Sequence, residues 1–141
     1  MPFLLHYDVG MPWADYVQRL RDYRCGLGLK PGLVADTFLL ATVDGSIVGR
    51  TSIRHELNEF LAAYGGHIGY AVLAPHRRRG YATEILRQSL IIARAAGVDW
   101  VLVTCDDDNV GSRAVIEACG GVFDEVVQNP NGVVKRRYWI P

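Results

Sequence analysis

Apolar residues recur along this chain with two periods, and the switches between them mark its elements. From Trp13 to about Arg24 they fall at helical spacing (Trp13, Tyr16, Val17, Leu20), and Gly26-Leu27-Gly28 ends the run. Residues 37–43 and 46–53 read as apolar strands joined at Asp44-Gly45, a dipeptide that favours a tight hairpin. Residues 54–66 form a connection with some helical character that closes on Gly65-Gly66. Residues 67–73 predict a strand. Residues 83–95 predict a helix with Ile85, Leu86, Ser89, Ile92 and Ala93 on one face and Gly97 at its stop. Residues 98–104 are a continuous apolar run of the kind buried on both faces of a sheet. A helix from about Ser112 to Cys119 stops at Gly120-Gly121. Residues 122–127 and 133–140 then make a closing hairpin around Asn129-Pro130-Asn131-Gly132.

The central strand, helix and strand form a crossover, which is right-handed almost without exception and sets two parallel strands side by side. Hairpins before and after it extend the pair into a mixed sheet covered by helices. No internal repeat or linker interrupts the pattern, so residues 1–141 are expected to be a single α/β domain.

Composition narrows the function. Half the residues are hydrophobic, and 15 basic against 15 acidic residues leave a formal net charge of zero. That balance argues against a general nucleic-acid or membrane binder, and the basic clusters at Arg77–Arg79 and Lys135–Arg137 are local. The opening residues 1–5 are too few for a signal-peptide core, and no apolar run approaches the ~20 residues of a membrane span. Cys25, Cys105 and Cys119 are odd in number and lack Cys-x-x-Cys spacing, so they read as reduced thiols of a cytoplasmic protein, with no disulfide or zinc role.

One stretch carries specific chemistry: His76-Arg77-Arg78-Arg79-Gly80-Tyr81-Ala82, between the strand at 67–73 and the following helix. A strand-to-helix turn leaves backbone N–H groups unpaired at the positive end of the helix dipole, a ready site for an anion. Gly80 and Ala82 keep the backbone slim, and three arginines raise the local potential, which suits a diphosphate. Neither a Gly-x4-Gly-Lys-Ser/Thr loop nor a Gly-x-Gly-x-x-Gly fingerprint is present. The alternative is a solvated basic turn.

Arg77-x-x-Gly80-x-Ala82 after a Gly-Tyr-Ala-Val strand resembles the Arg/Gln-x-x-Gly-x-Gly/Ala signature of the GNAT acetyltransferases, and the resemblance runs from about Thr37 to Ile140. Within that superfamily the chain is similar to a bacterial group with three further motifs. These stand here as Arg54-His55-Glu56-Leu57-Asn58, Gly65-Gly66-His67-Ile68-Gly69-Tyr70 and Arg137-Tyr138-Trp139-Ile140. Members of the group usually carry an extra strand and helix ahead of the position of Met1, which leaves open whether residues 3–7 replace that strand.

The resemblance implies a mostly antiparallel mixed sheet with a central parallel pair, residues 67–73 and 98–104, that splays apart at one end. It implies acetyl-coenzyme A as acyl donor, no metal, and direct transfer to the primary amine of a small molecule or peptide, by a monomer or a homodimer. Pantetheine would pair with the backbone around Val72 and Leu73, and the pyrophosphate would meet backbone N–H groups of Arg77, Arg78, Arg79, Gly80, Tyr81, Ala82 and Thr83. Asn109 and Ser112, in an Asn-x-x-Ser opening the next helix, match a second cofactor contact, while Asn109 also reads as a helix cap.

An alkyl ammonium group titrates near ~10, so a base must take its proton before attack. His67, His55 and Glu56 are the candidates, with a purely structural hydrogen-bonding role as the alternative for each histidine. Many GNAT enzymes place a tyrosine proton donor where this chain has Ile116, leaving Tyr70, Tyr81 or an unaided thiolate. The missing tyrosine also keeps in play a non-catalytic sensor that binds coenzyme A. A third reading takes Asp106-Asp107-Asp108-Asn109-Val110-Gly111-Ser112, running to Glu117, as a calcium loop. It fails on Val110 at position five, on Arg113 at position eight and on a strand where a helix should lead in.

Overall fold

The computed structural model describes residues 2–141, and within them the elements run α1 (Trp13–Arg24), β1 (Asp36–Val43), β2 (Ser46–Arg54), β3 (Ile68–Val72), α2 (Tyr81–Ala95), β4 (Val101–Asp106), α3 (Val110–Ala118), β5 (Val122–Gln128) and β6 (Val134–Ile140). Short helical turns occupy Leu61–Gly65 and Ala74–His76. Residues 3–7 form turns and not a strand, so they do not stand in for the first strand of the resembled group; they pack instead on α1, where the Tyr16 hydroxyl donates to the Leu5 carbonyl at 2.7 Å. The strand expected from residue 98 begins at Val101 because Val98 closes α2. Its N–H donates to the Ala93 carbonyl at 3.0 Å and its side chain is buried beneath the helix end, an arrangement that uses up an apolar residue without extending the chain.

The strands form two antiparallel sheets, ordered β1-β2-β3 and β4-β6-β5. β3 and β4 lie side by side and parallel, yet no ladder joins them; they are tied at one end only. There the His67 N–H donates to the Leu102 carbonyl at 2.7 Å, and the Leu102 N–H donates to His67 Nδ1 at 2.9 Å. From that tie the two strands part, as the resemblance implies. The connection from β2 supports the same end. Gly66, at φ 71°, lies so close to β4 that a Cβ there would stand 2.6 Å from the Leu102 carbonyl oxygen, and Thr104 donates to the Tyr64 carbonyl at 2.7 Å.

α2 and α3 cover one face of both sheets. Ile53 and Ile68 from the first sheet, Leu86, Leu90 and Ala93 from α2, Val101, Val103, Tyr138 and Ile140 from the second and Ile116 from α3 form one continuous core. Alternation along the strands therefore gives the first sheet two distinct faces. Thr51, Ile53, Ile68 and Tyr70 point toward α2 and α3, where the Thr51 hydroxyl meets Ser89 of α2 at 2.9 Å. Arg50, Ser52, Arg54, Gly69 and Ala71 belong to the opposite face.

Candidate functional site

The parting of β3 from β4 leaves backbone unpaired. The β2–β3 register, with Arg54 N–H donating to the His67 carbonyl and Leu73 N–H to the Val48 carbonyl, makes residues 67, 69, 71 and 73 the ones bonded to β2. Ile68, Tyr70 and Val72 consequently turn their N–H and carbonyl groups toward the gap. The Val72 carbonyl is taken by Arg77 Nε at 3.0 Å, so Tyr70 and the Val72 N–H remain for a ligand that pairs like a strand. Leu73 corrects the sequence expectation: its N–H is spent on Val48 and it does not line the cleft.

The gap widens into a cleft of about 660 Å³ lined by Tyr70, Ala71 and Val72 on one side and by the starts of α2 and α3 on the other. α2 begins at Gly80, held at φ 80°, with no side chain capping its first turn. The N–H groups of Tyr81, Ala82 and Thr83 are therefore free of helical partners and lie at the cleft wall. α3 begins at Asn109, whose side chain accepts from the Ser112 N–H at 3.1 Å, so the capping reading of Asn109 holds alongside its place in the wall. Two helix N-termini thus aim their positive ends at one cavity, beside Arg77 and Arg78. Of the residues expected to bind the cofactor, Val72, Arg77, Arg78, Gly80, Tyr81, Ala82, Thr83, Asn109 and Ser112 line it and Arg79 does not.

Tyr70, one of the alternatives for the missing tyrosine at Ile116, stands in the wall of the cleft. Its ring packs against the core beneath α3, and its hydroxyl is enclosed with no hydrogen-bond partner among the described residues. Burial pushes its pKa up to about 12; Ser112 lies near enough to ease that rise, but the two hydroxyls do not reach hydrogen-bonding geometry. The result is a protonated donor held without an acceptor in the wall of the cleft.

The three candidate bases do not line the cleft. His55 turns its Nε2 to Thr37 of β1 at 2.8 Å, at the far edge of the first sheet, and Glu56 is exposed on the connection. His67 fails as a base for a different reason: its Nδ1 already accepts from Leu102, which fixes the proton on Nε2. Burial, reinforced by the positive charge of Arg54, holds its pKa below the ordinary histidine value. An unfolded chain takes up a proton on His67 as pH falls through ~6.5, while the folded chain resists it, so the stability that His67 contributes is present above that value and lost below it. Melting temperature is expected to fall between pH 6.5 and pH 5 in the wild type. His67→Ala should start about 1–3 kcal/mol less stable, with the Leu102 N–H orphaned, and show a shallower decline. An identical slope in the two proteins would refute the assignment.

Asp106 and Asp107, the first acids of the rejected calcium loop, are engaged by Lys135 and Arg136 at 2.6 and 3.2 Å. Among the described residues no helix is long and apolar enough to cross a membrane.

The sequence model of the acetyltransferase (GNAT) domain matches residues 9–122. No curated protein matches the sequence. Among solved structures, the microcin C7 self-immunity acetyltransferase MccE, in complex with acetyl-CoA and AMP, is similar at a TM-score of 0.64 and 21% identity, over 89% of this chain and 67% of that one. The ribosomal-protein-alanine N-acetyltransferase from Brucella melitensis aligns at 0.66 and 16% identity, over 92% and 78% of the two chains. A variant of spermidine N-acetyltransferase SpeG from Vibrio cholerae aligns at 0.63 and 13% identity, over 95% and 79%. At these identities the likeness is one of fold.

Proposed function

Since the chain belongs to the GNAT acetyltransferase family, we propose that it transfers the acetyl group of acetyl-CoA directly to a primary amine of a small molecule or peptide. The observation that carries this reading is the splayed β3–β4 pair, whose unpaired backbone leads to two converging helix N-termini. Pantetheine amides would add to β3 at Tyr70 and Val72, and the pyrophosphate would take the N–H groups of Tyr81, Ala82 and Thr83, with Arg77 and Arg78 supplying countercharge. Acetyl-CoA seen in one similar structure and acceptors as different as spermidine and a ribosomal protein in the names of others fit a shared donor with a variable acceptor.

In this reaction the amine lone pair adds to the thioester carbonyl. The C–S bond then breaks as the carbonyl re-forms, sulfur leaves as thiolate with the electron pair, and nitrogen sheds its proton. With His67 committed to Leu102 and His55 to Thr37, we assign that proton to water at the cleft mouth, and His67 to positioning, as the pin from which the strands diverge. The Tyr70 hydroxyl donates a hydrogen bond to the developing thiolate, the task that a tyrosine at Ile116 would otherwise perform. This donor removes the motive for the sensor reading. Cys105 and Cys119 are pushed up by burial, so neither offers the thiolate that a covalent acetyl-enzyme would need, which supports direct transfer.

Acetyl-CoA at millimolar concentration is expected to raise the melting temperature, because a ligand bound only by the native state stabilises it by mass action. A panel of amines read by thiol release then identifies turnover. Folded protein with an unmoved melting temperature would sink the reading.

A further inference from the structure

The face of the first sheet turned away from α2 carries a charge that the cofactor cleft does not explain. Arg50, in the middle of β2, is 3% exposed, and its Nε and Nη1 are enclosed without an acceptor among the described residues. The acid on the same face is Asp36, and it is already occupied: it accepts from Ser52 at 3.0 Å and faces His6 at 3.2 Å. Its field acts on Arg54, which also donates to the carbonyls of Gly65 and Gly66 at 3.2 and 3.3 Å. Arg50 has no comparable neighbour; burial alone displaces its pKa, downward. A buried cation without a counterion costs several kcal/mol unless something that arrives later supplies the charge.

Its position says what arrives. Arg50 is the ladder partner of Ala71, which lines the cleft, and as a hydrogen-bonded pair the two Cα atoms stand about 5.5 Å apart on the same face. Beside them β3 presents Gly69 and Ala71. The Arg54 guanidinium covers Gly69, 3.1 Å from where a Cβ would stand, which leaves Ala71 as the position on this side that reaches the cleft, while the opposite side holds Tyr70 and the starts of both helices. Leu40, the partner of Arg50 on β1, is 37% exposed, so the row opens to solvent at its outer edge. Arg50 is thus a buried charge one ladder position from the cleft wall, on the face opposite the helix starts.

We propose that the Arg50 guanidinium receives an acidic group, a carboxylate or a phosphate, carried by the acceptor amine. The assignment rests on the acetyl-transfer reading and narrows its substrate class to amines that bear an acid. A guanidinium fork matches either anion, and pairing relieves the desolvated charge in the same step.

The test compares amines that differ only in the acid: β-alanine against ethylamine for carboxylate, and phosphoethanolamine against ethanolamine for phosphate. The acid-bearing member is expected to have at least about ten-fold higher kcat/KM in one pair, carried by KM. Arg50→Met should erase that ratio through KM, and Arg50→Lys should keep part of it. The melting temperature of Arg50→Met should not fall, because Met removes a buried charge that no partner satisfies, and the acetyl-CoA-dependent rise in melting temperature should persist in it. A structural arginine would give the reverse, an unstable Met variant with unchanged selectivity. Wild type that binds acetyl-CoA yet prefers neither acid, or a preference that survives Arg50→Met, overturns the Arg50 assignment and leaves acetyl transfer standing.

Discussion

Tyr70→Phe is expected to lower kcat about 100-fold while acetyl-CoA affinity stays near the wild-type value. The substitution removes one oxygen, and that oxygen has no hydrogen-bond partner among the described residues, so stability should be unchanged or slightly higher. A loss of turnover with retained stability would therefore be chemical and not structural. The expected loss follows from where charge develops: the sulfur becomes anionic as the C–S bond breaks, and a donor in the cleft wall that holds no other partner gives up no hydrogen bond when it turns to that sulfur. Because the pKa of Tyr70 is pushed up to about 12, the hydroxyl remains protonated through the whole working range. The rate should climb from neutral pH toward the pKa of the amine, near ~10, with no alkaline limb from Tyr70, as expected when water takes the ammonium proton. Steady-state kinetics with a poor and a good acceptor, alongside calorimetric titration of acetyl-CoA, would decide the point. Full turnover in the Phe variant would mean that the thiolate leaves unaided.

The difference between Tyr70 and the histidines shows where the sequence stops being legible. Period and punctuation placed α1, the two hairpins and the crossover, because each depends on local chemistry: Asp44-Gly45 makes a turn and Gly97 closes a helix wherever they occur. The cleft wall formed by the start of α2 was legible for the same reason, since an uncapped helix start after Gly80 is a backbone property. Strand alternation sets Tyr70 on one face of β3 and Gly69 and Ala71 on the other, but which of those faces borders the helices follows from how α2 returns across the sheet, and no local pattern records that. His67 was misleading because its side chain lies at the point where β3 is handed from β2 to β4. There it replaces a backbone acceptor for Leu102, a role visible only once the strands diverge. Leu73 was lost to a register parity, as its N–H faces β2 and not the gap. Arg50 in Gly49-Arg50-Thr51 reads as an ordinary strand charge; that it is enclosed and without a partner depends on residues distant in sequence.

Gly80→Glu should weaken acetyl-CoA binding at least about ten-fold, or ~1.4 kcal/mol, and cofactor-dependent turnover with it. Gly80 is exposed, and a Cβ built on it meets nothing within 4 Å, so the fold offers no steric objection to a side chain there. Two costs remain, and they separate cleanly. The first is backbone strain: at φ 80° a residue with a Cβ loses roughly 1–2 kcal/mol, which any non-glycine variant shares. The second is electrostatic and belongs to Glu alone, because its carboxylate would stand at the N-terminus of α2, where the pyrophosphate is assigned, and would compete for the same N–H groups. Gly80→Ala is the control. It carries the strain without the charge, so it should lose stability to a similar degree but much less affinity. Calorimetric titration of acetyl-CoA into both variants, with melting temperatures measured in its absence, distinguishes the two costs. Equal losses of affinity would assign the effect to the shape of the turn, and undiminished affinity in Gly80→Glu would show that the phosphates lie elsewhere.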